Sequence, residues 1–201
     1  MRKSIFLLAT ALFATAAAAA ESADEAAEKL ATQVCTACHG PGGVSTSPQF
    51  PRLAAQPAPY LVAQIKAFRA NTRGEPEAHD YMLGMVTLID DATAEALGRY
   101  FARQAPAPGT PGDAKRVAQG RQVFEHGIAE RGIAACATCH GAHAEGNTIF
   151  PRLAGQHAAY LVKQLKAIQS RLRQSPVMHG IIKDLTPAEM DALAAYLQSL
   201  G

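Results

Sequence analysis

All four cysteines of this 201-residue chain fall in one repeated word, Cys35-Thr36-Ala37-Cys38-His39 and Cys136-Ala137-Thr138-Cys139-His140. Four chemistries use such spacing. A redox-active Cys-x-x-Cys disulfide belongs to a βαβ context, and no strand pattern flanks either copy. A four-cysteine zinc ribbon places its pairs about 15 to 20 residues apart, whereas residues 39 to 135 intervene here. Disulfides between the copies would ignore that each copy repeats its own surroundings. The fourth chemistry is covalent attachment of a c-type haem, in which both thiols add to the vinyl groups and the adjacent histidine ligates iron. It alone explains the histidine, because sulfurs tied to one porphyrin edge carry the next side chain of the same turn beneath the metal. Cys35, Cys38, Cys136 and Cys139 are therefore read as attachment points for two haem c groups, with His39 and His140 as proximal ligands.

The distal ligand decides what such a site does. A methionine thioether closes the iron in low-spin electron carriers and raises the potential. Internal repetition selects among the five methionines: Met82 precedes Tyr100 by the same 18 residues that separate Met178 from Tyr196. Met85 aligns with Ile181, and Met190 with Ala94. Bis-histidine ligation through His79 or His179 is the rival, but neither histidine has a counterpart in the other copy. His126, His143 and His157 read as surface or loop residues.

The elements that position these groups repeat with them. "FPRLAAQPAPYLVAQIKAF" from Phe50 matches "FPRLAGQHAAYLVKQLKAI" from Phe150, and "YMLGMVTLIDDATAEALGRYFA" from Tyr81 matches "VMHGIIKDLTPAEMDALAAYLQ" from Val177. Three blocks in one order mean an internal duplication. "QAPAPGTPGDA", residues 104 to 114, reads as the linker, so the domains are expected at 21–105 and 106–201. Each is small enough that a cofactor is needed to complete its core. The pattern is helical throughout. Helices are expected over 24–34 and 114–127, leading into the cysteine words, and over the apolar stripes Tyr60–Phe68 and Tyr160–Ile168. Terminal helices are expected to be capped by Asp90 or Asp91 in one copy and by a Thr186-x-x-Glu189 box in the other. Phe50, Phe150, Leu53 and Leu153 are expected to pack on the haem. Arg52 and Arg152 are candidates for a hydrogen bond to a haem propionate or to a neighbour at the domain interface.

The opening "MRKSIFLLATALFATAAAAAES" has a basic start, a short apolar run and a small-residue cleavage site, so residues 1–20 are expected to be a signal peptide removed near Ala20. The export this implies permits disulfides, yet the repeat argues for haem. The remaining chain carries 7 Lys+Arg against 10 Asp+Glu in residues 21–105, and 10 against 7 in 106–201. Opposite formal charges at the two ends fit docking to different partners and haems of different potential. The balanced total and the lack of a basic cluster argue against nucleic-acid binding.

With both cysteine words, "FPRLA-x-Q", "YL-x-x-Q-[IL]-K", a methionine and an "A-x-Y" helix in tandem, the chain resembles the di-haem cytochrome c4 family over nearly its whole mature length. The resemblance implies an all-α molecule of two class I cytochrome c domains about a pseudo-two-fold axis, with haem propionate edges facing each other. By position it implies His39 with Met82, and His140 with Met178, as axial pairs. Pro51 and Pro151 would accept the second N–H of each proximal histidine through their carbonyls. It further implies a periplasmic shuttle between redox proteins, such as a quinol-oxidising complex and a terminal oxidase, meeting membranes only through partners. A peroxidase-like di-haem enzyme and a dedicated subunit of a dehydrogenase are the alternatives.

Overall fold

The computed structural model describes residues 23–201, so the expected signal peptide lies outside the described residues. The chain forms two helical domains of like design, and the described residues include no strand longer than an isolated bridge. In the first, α1 (23–39) runs without a break through the cysteine word, widening to a π-helical turn over Ala31–Cys35. Its small residues Ala27 and Ala31 are buried in one core with Leu61 of α2 (Ala58–Arg69) and with Ala96, Leu97 and Phe101 of α4 (Asp91–Ala102). Between them lies α3 (76–86), whose middle, Ala78–Leu83, is again a π turn and carries Met82. Asp90 caps α4 by accepting from the Thr93 N–H at 2.8 Å.

The second domain uses α5 (Ala114–His126), α6 (Ala137–His140), α7 (Ala158–Gln169), α8 (Pro176–Ile182) and α9 (Pro187–Ser199). The capping box is present: Thr186 Oγ1 accepts from the Glu189 N–H, and Glu189 accepts from the Thr186 N–H at 2.8 Å. Helices α5 and α9 cross at Gly120, where a Cβ would stand 1.9 Å from the Ala192 carbonyl oxygen. Phe124 and Tyr196 pack at a tilt beside this crossing, with centroids 5.6 Å apart.

The helix expected over 114–127 forms as Ala114–His126. Helix α5 does not lead into the second cysteine word, because Gly127 adopts φ +68° and turns the chain. Ile128 then pairs with Ile133 across a short turn before Cys136. Arg131 fastens that turn to α9 through Glu189 and the Asp184 carbonyl.

The halves meet in a pseudo-symmetric interface. Arg73 bridges to Arg173, and the Gly74 N–H donates to the Leu172 carbonyl at 2.7 Å. Both arginines are buried and share the carbonyl oxygens of Gln64 and Gln164 at 2.6 to 3.0 Å. Arg173 also donates to the Tyr60 hydroxyl, and Arg73 pairs with buried Glu75. No described helix is long and apolar enough to cross a membrane.

Candidate redox sites

Each cysteine word is one turn of helix, so its two thiols and its histidine lie along a single face. None of the four cysteines forms a disulfide. Burial raises the Cys35 pKa and pushes Cys136 up to about 11. Among the described residues, no three His, Cys, Asp or Glu side chains gather into a cluster that could hold a metal ion, as a zinc site would require.

The histidines are oriented alike. His39 is 7% exposed and its Nδ1–H donates to the Pro51 carbonyl at 2.8 Å; His140 is 6% exposed and donates to Pro151 at 3.0 Å. A carbonyl partner requires the proton on Nδ1, which leaves Nε2 with its lone pair free to ligate. Burial pulls both histidines below their usual pKa, so each ring is neutral near pH 7. Phe50 and Phe150 stand edge-on to these rings, at 6.4 and 6.3 Å. Two thiols one turn apart and an oriented, neutral imidazole form a donor set that fits haem c in each half. Such a group supplies a one-electron iron couple; the chain shields and orients the histidine.

The methionine segments reach these turns differently. Tyr81, next to Met82, packs edge-on against Phe50 at 5.6 Å and accepts a hydrogen bond from Gln49, which ties the α3 π turn to the segment after the first cysteine word. Val177 stands in the corresponding place beside Met178, which packs against the second core from α8. Met82 is half-buried and Met85 largely exposed. The His179 ring is engaged at both nitrogens, donating from Nδ1 to the Ile168 carbonyl at 3.1 Å and accepting at Nε2 from Arg171 at 3.2 Å. His79 is exposed beside Asp80.

Arg52 extends across the domain boundary. It donates to the Ser45 carbonyl at 3.2 Å and to the Pro108 and Gly155 carbonyls of the other half. The Arg152 side chain lies near Glu145. Leu53 and Leu153 pack against their respective cores. His157 lies in the loop before α7, one of the two places expected, but it is buried rather than at the surface, and its Nε2–H donates to the Ser45 carbonyl across the interface at 3.0 Å. That partner is 112 residues away in sequence, a separation that periodicity does not register.

Sequence reasoning also passed over two glutamines. Gln56 accepts from the Arg152 N–H at 3.0 Å and donates to the Arg152 carbonyl at 2.7 Å; Gln156 does the same to Arg52 at 2.9 and 2.9 Å. Their recurrence in the repeated "FPRLA-x-Q" block was the available signal.

Comparison with known proteins agrees with this design. The sequence profile of the family described as cytochrome c matches residues 25–103 and again 117–201. Cytochrome c4 of Azotobacter vinelandii is 36% identical, spanning 100% of both chains. A solved structure of Acidithiobacillus ferrooxidans cytochrome c4 superposes with a TM-score of 0.78 at 36% identity, covering 83% of this chain and 98% of that one. The thiosulfate dehydrogenase electron acceptor of Thiomonas intermedia (strain K12) is 34% identical over 81% of this chain and 76% of its own. The chain belongs to the cytochrome c family and, within it, to the di-haem cytochrome c4 proteins. It is an electron-transfer protein rather than an enzyme, its domains are of the kind that bind haem c covalently, and its partners are redox proteins.

Proposed function

We propose that the chain is a periplasmic shuttle passing single electrons between respiratory partners, from a quinol-oxidising complex towards a terminal oxidase. It holds one haem on Cys35 and Cys38, with His39 and Met82 as axial ligands. A second haem is held on Cys136 and Cys139, with His140 and Met178. The carrying observation is that both histidines offer Nε2 in the same way, each fixed by its proline carbonyl in a buried turn. Methionine is favoured over histidine as sixth ligand because the His179 ring is already committed at both nitrogens. Arg52, and Arg152 at the matching place, serve the domain interface. A closed, six-coordinate iron suits a carrier, since nothing need bind to it during electron transfer.

The test is optical and electron-paramagnetic spectroscopy of the purified holoprotein. Two haems per chain and the weak far-red thioether-to-iron band are expected, with half of that band lost in Met82→Ala and the other half in Met178→Ala. A full band in either variant would assign that ligand elsewhere. Mass spectrometry of the exported protein is expected to give a start near Glu21.

Likeness to a thiosulfate dehydrogenase electron acceptor favours a second reading, a carrier dedicated to one dehydrogenase. Saturable reduction by such a dehydrogenase, faster than by a quinol-oxidising complex, would select it.

A further inference from the structure

Each proximal histidine is held by a peptide group that the opposite domain also grips. The Pro51–Arg52 peptide accepts at its oxygen from His39 Nδ1–H at 2.8 Å and donates from its nitrogen to Gln156 Oε1 at 2.9 Å. The Pro151–Arg152 peptide accepts from His140 at 3.0 Å and donates to Gln56 Oε1 at 3.0 Å. Each glutamine's Nε2 donates to the next carbonyl, of Arg152 or Arg52, so flipping either amide would oppose two donors and two acceptors. Both glutamines are 5% exposed, so water does not readily take over their bonds.

We propose that Gln56 and Gln156 are crossed positioning residues, each setting through the opposite domain's Pro–Arg peptide the donor strength of that domain's proximal histidine, and so the potential of its haem. The inference rests on His39 and His140 being the axial ligands. A peptide that donates from N–H carries more negative charge on its carbonyl oxygen, and hydrogen bonds in series polarise one another. The oxygen then draws harder on the imidazole N–H, the ring becomes a stronger ligand, and ferric iron is favoured. Removing the glutamine acceptor therefore raises the potential of the haem in the other domain. The two crossings are unequal. Gln156 Oε1 is shared with the His157 N–H at 3.1 Å, whereas Pro57 has no N–H to compete for Gln56. Gln56 consequently acts more strongly on the second haem than Gln156 does on the first.

The experiment is a redox titration of the full-length holoprotein followed by NMR. The hyperfine-shifted ring signals of His39 and His140 report each haem separately, assigned through their contacts with Phe50 and Phe150. Gln56→Met keeps the side-chain length and removes the acceptor. It is expected to favour reduction of the His140 haem by at least about threefold, where tenfold corresponds to about 59 mV for one electron, with little change at the His39 haem. Gln156→Met is expected to do the reverse, less strongly. Lys163→Met, which breaks the separate cross-domain pair with Glu77, is expected to show no crossed pattern. Shifts confined to the substituted domain, equal shifts at both haems, or none would overturn the proposal. Should a Met variant not fold, Gln56→Glu retains the acceptor and must not raise the His140 haem's potential; a rise refutes the mechanism. Absence of hyperfine-shifted histidine signals would instead overturn the ligation, and this proposal with it.

Discussion

The Pro–Arg peptide after Phe50 and Phe150 uses its carbonyl within its own domain and its N–H across the interface. Histidine orientation and domain docking thus share one plane of atoms, and the residues around that plane bear on both. His157 is a case in point. Burial first, and then the Arg52 charge, hold its pKa below the ordinary value, against the opposing effect of the Ser45 carbonyl. The unfolded chain therefore takes up this proton before the folded one does, so stability falls as pH drops through about 6.5 and levels off below the depressed folded value. His157→Gln keeps an N–H donor for Ser45 and has no proton to gain. Urea unfolding at a series of pH values is expected to show this loss in the unsubstituted protein and a flatter profile in the variant.

Among the elements, the two copies solve one packing problem differently. In the first, α1 continues straight into the cysteine word through a π turn, and another π turn carries Met82; such turns recur where a helix must re-aim a side chain at a functional site. In the second, a glycine-ended helix and a short loop deliver Cys136 instead. The crossing of α5 and α9 then depends on Gly120, which lets backbone meet backbone. Gly120→Ala forces the helices apart or strains them, and is expected to cost about 1 to 3 kcal/mol by the usual penalty for overpacking. Chemical denaturation would register this in the second domain, with the first haem's spectrum unaffected at low denaturant.

For the whole molecule, the interface is polar and carries buried charge: Arg73 and Arg173 face one carboxylate, Glu75, with Gln64, Gln164 and Tyr60 completing the donors' needs. Burial pushes the Glu75 carboxyl up, but hydrogen bonding and charge from Arg73 outweigh it and hold the group below its usual range. Its contribution is therefore present above the unfolded value near 4.3 and lost as pH falls through the depressed folded value. Glu75→Gln leaves two buried cations without a counter-charge and is expected to weaken docking by about 3 kcal/mol, the low end for breaking a buried pair. A shorter rotational correlation time, from domains tumbling separately, would report it. The covalent and axial candidates, the duplication and the helical class were legible in the chain, because attachment chemistry fixes local spacing and helices repeat with a short period. So were the caps, since Asp90 and Thr186 act on residues three positions away. His157 and Ser45, Gln56 and Arg152, and Arg73 and Gln164 were not legible as pairs, being 112, 96 and 91 residues apart. Sequence by itself determined the duplication, the helical class and the caps at Asp90 and Thr186, and pointed to haem c in each half. Only the tertiary structure decided how the halves face each other, because hydrogen bonds between distant backbones leave no periodic trace in the order of residues.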